Sequence, residues 1–479
     1  MNPWEEGPAG RALAFFYDIC RIPRGSGNEK AVADYVLAVA ERLGLWAHRD
    51  EAGNVYVKKP GSPGKKDHPA ILFQSHLDMV CEKDDNVDHD FLKDPIDFYV
   101  DGEWLKARGT SLGADDGTGV AFMLAILENN EVAMPPVECL FTVEEETGLI
   151  GAGRIETKHI DARRMVNLDC GPEGVFLASC AGGMTGTLQK PVRMEPVQGR
   201  TVKIKVDGLM GGHSGSRIHW GLGNAIKILT RALRALDAQI GIRLCGLEGG
   251  GKDNAIPRIC GATVALADDG SRLDALLKEL SDGLRAELIP EDQAGFTLTY
   301  EEAKAESMFS AEDSDAILDL LQLFPNGVMA QQKDNPVPVV TSINLANVSV
   351  KGGAFVAQYS IRSNIESLKE EVAAAVRTLA GRMDADIEEA NGYPGWSFAP
   401  HSEIRKLCVE VYERFTGLKA AVEGVHAGLE CGLIQQKIPD MDIVGTGSTA
   451  TGAHSTKESM NLPSFERTYG FLLELLKTL

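Results

Sequence analysis

Short runs of consecutive apolar residues, each breaking off at an acidic or imidazole side chain, constrain the fold of this chain more than any other feature. Ala70–Gln74 reads as a buried strand that ends at His76, and Val137–Val143 as one that ends at Glu144, Glu145 and Glu146. Met165–Leu168 ends at Asp169, and Asp442–Gly445 leads into a Gly/Thr/Ser-rich loop carrying His454. Such strands have no polar face to offer water, so they predict an α/β fold: a mainly parallel sheet covered by helices on both sides. Helical periodicity is present at Ala12–Cys20, Glu29–Leu43 and Asp116–Asn129, with Asp115 at the mouth of the third. In such sheets ligands gather beyond the carboxyl ends of the strands, and the polar groups fall there.

The middle of the chain has another rhythm. From about Gln189 to Trp396 the pattern runs strand Thr201–Val206, helix Gly223–Leu236, strands Ile242–Leu247 and Ile256–Ala267, helix Leu273–Leu288 and strand Phe296–Tyr300. A related order follows: helix Asp313–Leu323, strands Val339–Val348 and Ala354–Ile361, helix Leu368–Met383 and strand Asp386–Glu389. This reads as an inserted α+β domain of β-α-β-β-α-β type used twice, with the ownership of one boundary strand left open. Helical periodicity resumes at Glu403–Phe415. A chain of 479 residues exceeds one ordinary core. The expected organisation is therefore a discontinuous α/β domain, residues 1–186 and 397–479, interrupted by an insert at 187–396.

His76, Asp115, Glu146, Asp169 and His454 make two imidazoles and three carboxylates, a donor set for two divalent ions of the zinc, cobalt or manganese kind. Asp115, on a glycine-rich turn, is the natural bridge. His76 and Asp169 would complete one ion, and Glu146 and His454 the other. Asp78, two residues after His76, is placed to orient that imidazole, and Glu145 to act as a general base. Taken singly, each motif is more often a helix cap or a solvated charge, and Asp116 is a credible cap. Five at strand or helix ends, in compatible ligand types, point to metal-assisted hydrolysis of an amide.

Charge and cysteine usage narrow the classes further. A net charge of −21 opposes nucleic-acid binding. No apolar run approaches the roughly 20 residues of a membrane span, and the first residues lack a secretion signal, so a cytoplasmic location is expected. Nine cysteines without framework spacing read as reduced thiols.

The order of His76-Leu77-Asp78, Gly113-Ala114-Asp115, Glu145-Glu146-Thr147-Gly148, Asp169 and His454 resembles the co-catalytic zinc metallopeptidases that include carnosinases and aminoacylases. Val425–Gly432 and the long, doubled insert look most like the aminoacyl-histidine (Xaa-His) dipeptidases within that group. The resemblance implies a zinc-peptidase-like catalytic domain with a lid, and two ions per chain, zinc before cobalt or manganese. It makes Asp78 and Glu145 catalytic, and it implies a cis peptide after the bridging Asp115. Gly211–Gly215 matches a lid motif, giving His213 a part in stabilising the transition state. Asn254 and Arg362 lie in matching lid segments, Arg362 to grip a free carboxylate. His426 and Glu430, in the subgroup-specific segment, join them as substrate-binding residues. Relatives tend to have a basic residue just before Asn254, where this chain has Asp253, which leaves the substrate preference open. The implied activity is hydrolysis of small peptides, Xaa-His dipeptides foremost, by a monomer or a homodimer. The alternatives are an N-acyl amino acid hydrolase, a broader di- or tripeptidase, or a metal-binding relative without turnover.

Overall fold

The computed structural model describes residues 3–333 and 339–479. The chain divides into two compact units: Met1–Cys180 with Trp396–Gly424 and Leu429–Leu479, and Ala181–Gly395 with Val425–Gly428. The tetrapeptide belongs with the second unit through the N–H of Ala181, which donates to the carbonyls of Val425 (3.1 Å) and Ala427 (3.0 Å).

The first unit is built on an eight-stranded sheet in the order Trp46–Arg49, Val55–Lys59, Val137–Thr142, Ile71–His76, Arg164–Asn167, Asp442–Gly445, Val175–Cys180, Ala421–Val425. The four central strands are parallel, while the neighbours on either side are antiparallel. Every residue of Ile71–His76 and of Val137–Thr142 is buried, as expected of strands covered on both faces. Phe73 and Phe141 share a core with Phe15 and Phe16 of helix Gly10–Cys20 and with Phe122 of helix Ala114–Glu128. The latter helix is enclosed all round from Asp116 to Leu127 rather than along one stripe. It is the central helix of the unit. A smaller four-stranded sheet, Ala450–Thr451, Ser459–Asn461, Trp104–Ala107 and Phe98–Asp101, has no counterpart in the sequence reading.

The second unit is an antiparallel sheet in the order Thr297–Glu302, Thr201–Asp207, Cys260–Leu266, Ile242–Gly250, Thr341–Lys351, Ala354–Ser363, Gly182–Pro191, Asp386–Tyr393. A further strand, Gly327–Ala330, pairs with Thr341–Lys351. The doubled β-α-β-β-α-β pattern is present, and the open boundary strand is Gly182–Pro191. It pairs with Ala354–Ser363 and Asp386–Tyr393 of the second half but precedes the whole first half in sequence. One half is thus inserted into the other, and the two join where Gly249 and Gly250 pair with Val348 and Asn347. Val202, Ile204 and Val206 alternate with Lys203 and Lys205, and only the first three are buried. They share a core with helices Ala225–Ile240 and Ala311–Leu323. Among the described residues no helix is long and apolar enough to cross a membrane.

Candidate functional site

The first unit brings its five candidate donors together at the carboxyl ends of the parallel strands. His76 closes its strand with Nδ1 lying 3.1 Å from the carbonyl of Asp78 and 3.4 Å from Asp78 Oδ1. Carbonyl and carboxylate oxygens only accept, so Nδ1 carries the proton and the lone pair of Nε2 faces outward. That Nε2 is 3.2 Å from Asp115 Oδ1 and 3.8 Å from Asp169 Oδ1. On the other side, His454 Nε2 is 3.2 Å from Asp115 Oδ2 and 3.0 Å from Glu146 Oε2. Asp115 therefore turns one oxygen to each of two three-donor groups, His76–Asp115–Asp169 and Asp115–Glu146–His454. The peptide between Asp115 and Asp116 is cis.

The donor set fits a pair of divalent ions. Three carboxylates and two neutral imidazoles would leave two such ions one positive charge in excess, which suits polarisation of a substrate oxygen. Glu146 Oε1 is buried without a hydrogen-bond partner, as expected of an oxygen reserved for a guest. The negative field is plain in the imidazoles. Hydrogen bonds that its imidazole makes to the Asp115 and Glu146 carboxylates push His454 up to about 10. Burial lowers His76, but its bonds to Asp115, Asp169 and Asp78 outweigh this and hold it well above its ordinary value. Asp115, Asp169, Cys170, Pro172, Ser448 and Ala453 help to line an open cleft of about 250 Å³.

Asp78 holds the two sides together. Its Oδ1 accepts the N–H of Glu145 at 3.0 Å, and its Oδ2 accepts the N–H of Glu146 at 3.2 Å and the hydroxyl of Ser26 at 2.8 Å. Burial alone would raise its carboxyl; the His76 bond outweighs that and brings it down to about 2. Glu145 behaves oppositely. Burial, with Glu430, Glu146 and Asp115 nearby and only partly offset by His76, pushes it up to about 8. Two neighbouring carboxylates with divergent proton affinities can divide acid–base work.

The family model described as peptidase family M20/M25/M40 matches residues 72–478. The chain belongs to this peptidase family. It is 37% identical to the cytosol non-specific dipeptidase of Escherichia coli K12 over 465 residues, 96% of each chain. It superposes on the crystal structure of aminoacylhistidine dipeptidase from Vibrio alginolyticus with a TM-score of 0.93 at 34% identity, covering 99% of this chain and 98% of that one. Human carnosine dipeptidase 1, at 11% identity and a TM-score of 0.51 over 98% of this chain and 95% of that one, shares the fold. The chain is thus an M20 peptidase, a peptide-bond hydrolase with an α/β catalytic domain and an inserted α+β domain.

The remaining expected residues of this M20 peptidase lie in the second unit, with one exception. The two-residue strands Gly212–His213 and Ala255–Ile256 pair, setting His213 opposite Ala255 and beside Asn254. His213 and Asn254 line one cleft, and Asn254 and Arg362 line another. His213 Nδ1 accepts the N–H groups of Gly215 and Ser216, both at 3.1 Å. In the neutral ring the proton then sits on Nε2, and burial together with Arg362 keeps the ring neutral by lowering its proton affinity. Arg362 donates to the Tyr393 hydroxyl at 3.5 Å, and its Nε is buried without a partner. His426 Nε2 meets the Ser342 hydroxyl at 2.7 Å. The exception is Glu430, which opens helix Glu430–Lys437 in the first unit with 0% of its surface exposed. Its Oε2 accepts from Thr142 at 2.6 Å and from Gln74, whose own carbonyl accepts from Asn167 at 2.6 Å. This enclosed string ties three of the central strands together. Glu430 accordingly has no face open to a substrate.

Two residues that sequence reasoning missed hold the Asp115 turn. Glu458, 3% exposed, accepts the N–H groups of Leu112 and Gly113 at 2.8 Å each and of Asp115 at 3.1 Å. Arg24, equally buried, donates to the carbonyls of Leu77 (2.9 Å), Asp78 (3.0 Å) and Gly113. Gly113 has φ of 72°, and a Cβ there would stand 2.5 Å from the Arg24 guanidinium, so only glycine fits the turn. A single acidic residue four positions after His454, or an arginine in an Arg-Gly-Ser-Gly loop, carries no local signal that would have marked either one.

Proposed function

We propose that this peptidase is a dinuclear, zinc-class dipeptidase of the cytosol, acting on small peptides with a free carboxylate, Xaa-His dipeptides among them. The observation that carries the reading is the division of the two Asp115 oxygens between two three-donor groups, His76 and Asp169 on one side and Glu146 and His454 on the other. Ions held there would lower the pKa of a water between them and polarise the scissile carbonyl. Glu145, beside Glu146 and close to His76, would accept a proton from the attacking water and hand it to the leaving amine. Asp78 keeps the His76 ring in one tautomer and fixes the backbone on which Glu145 and Glu146 stand.

In the second unit, the Nε2–H of His213 is the donor for the developing oxyanion. Arg362, with its Nε unpaired, takes the substrate carboxylate; Asn254 shapes the cleft around it, and His426, held against Ser342, contributes to substrate binding. The names of the Vibrio and E. coli relatives support, respectively, an Xaa-His preference and a wider range of dipeptides.

Turnover of the zinc-loaded chain on Xaa-His and other dipeptides, tripeptides, N-acyl amino acids and C-terminally amidated dipeptides tests this directly. Cleavage of dipeptides that is lost on amidation is expected. A preference for N-acyl amino acids would move the assignment to an acylase, and inertness on every substrate with metal bound would refute the enzymatic reading.

A further inference from the structure

A second cluster of metal-type donors lies in the first unit, away from the cleft residues and built on different elements. His48 stands on Trp46–Arg49, the outermost strand of the eight-stranded sheet. Glu156 immediately precedes, and His159 closes, the short helical turn Thr157–His159. Glu156 Oε2 is 3.5 Å from His48 Nε2 and 3.2 Å from His159 Nε2. One donor atom from each of the three residues falls within 4.8 Å of the other two.

The two spacings from Glu156 are those of a tetrahedral ion, and the two imidazole donors lie within 4.8 Å of each other. Zinc bonds of about 2.0–2.1 Å to nitrogen and oxygen place any two donors roughly 3.3–3.4 Å apart. The orientations agree as well. His159 Nε2 is shielded from solvent and makes no hydrogen bond, although Glu156 Oε2 stands only 3.2 Å away. Atoms so close but misaligned for a mutual hydrogen bond are converging on a common point rather than on each other. The His48 and His159 rings lie with centroids 4.4 Å apart, so both imidazoles border the same Glu156 oxygen.

The surroundings hold the donors in place. Trp46 packs on the His159 ring at 5.4 Å, and Tyr56 lies 6.1 Å from the His48 ring and 5.5 Å from the His159 ring. The Tyr56 hydroxyl accepts the N–H of Glu156 at 2.8 Å and donates to Asp50 at 2.9 Å, which fixes the backbone of the carboxylate. One competitor is present: Lys158 Nζ stands 2.9 Å from the same Glu156 oxygen. Its side chain is 67% exposed, so it can swing into water at little cost.

We propose that His48, Glu156 and His159 form a separate zinc-class metal site, with water as the remaining ligand, that pins the edge strand of the sheet to the adjoining turn. Two imidazoles and one carboxylate suit zinc, nickel or copper and not calcium or magnesium. An edge strand presents unpaired backbone groups, and tying it down protects the sheet against slippage and strand addition.

Equilibrium dialysis of the full chain against zinc, followed by metal analysis, tests the site. The wild type is expected to bind one zinc ion more per chain than the double variant His48→Gln/His159→Gln, with dipeptide turnover the same in both. Glu156→Gln should lose the same ion, and in the wild type Cu²⁺ should show imidazole-nitrogen hyperfine coupling that His159→Gln removes. Equal zinc content in the wild type and all variants would overturn the proposal. A lower total in every chain with the one-ion difference intact would count against the Asp115 centre and leave this site standing.

Discussion

Glu145 and Glu146 are neighbours in sequence with opposite proposed duties. Glu146 Oε2 points at His454, whereas the Glu145 carboxyl is raised to about 8 by burial and by the carboxylates around it. Replacing Glu145 by Ala should lower kcat by about 10²–10⁴-fold while the zinc content, measured by elemental analysis, stays intact. Loss of zinc in that variant would make Glu145 a ligand instead. His426 offers a residue-scale test in the second unit. Burial, helped by the positive charge of Arg362 and by His219 and His213, brings it down to about 3. Its folded pKa thus lies below the ordinary value of about 6.5, and the unfolded chain binds more protons between those two values. Its contribution to stability is therefore complete above about pH 6.5 and is lost progressively as pH falls toward about 3. Around pH 5.5 the loss should be about 1 kcal/mol. The variant His426→Gln should show a flatter fall in Tm between pH 7 and 5 than the wild type. Parallel profiles would contradict this.

The elements that carry the candidate donors are readable because local physics dictates them. Ile71–His76 and Val137–Thr142 are buried on both faces, so their apolar runs are unbroken and their ends stand out. The expectation that Asp115 bridges rests on the same logic; His76 Nε2 lies 3.2 Å from Asp115 Oδ1 and His454 Nε2 3.2 Å from Asp115 Oδ2. What stayed hidden depends on contacts distant in sequence. Gly182–Pro191 gives no sign that it will pair with Ala354–Ser363, and nothing near Glu458 reveals that it will cap the turn at Leu112–Asp115. Glu430 misled for the same reason, since its segment resembles a substrate-facing one while its carboxylate is enclosed by Gln74 and Thr142. Glu458→Gln tests the importance of the turn. It puts an amide where a carboxylate accepts three N–H groups, and should cost about 1–3 kcal/mol in urea unfolding. Zinc affinity should weaken about 10–100-fold, as for other groups that hold metal ligands in place. Unchanged stability and affinity would remove Glu458 from the account.

For the molecule as a whole, each unit has its own hydrophobic core, one centred on Phe73, Phe122 and Phe141 and the other on Val202, Ile204 and Phe309. All five proposed ligands belong to the first. Metal that binds only the folded form adds stability as RT ln(1 + [L]/Kd), about 2.7 kcal/mol at a hundredfold excess over Kd. Chelation should therefore lower the thermal transition of the first unit and leave that of the second where it was, as read by scanning calorimetry. Equal shifts in both would show that the metal's influence is not confined to the unit that holds the ligands.

Asp115 is proposed to join two ions in one cleft. Anomalous diffraction at the zinc edge from crystals of the zinc-loaded chain tests it most directly. Two peaks about 3.5–4 Å apart are expected, one against Asp115 Oδ1 with His76 and Asp169, the other against Asp115 Oδ2 with Glu146 and His454. A single peak in the cleft, or two ions with no shared Asp115, would contradict it.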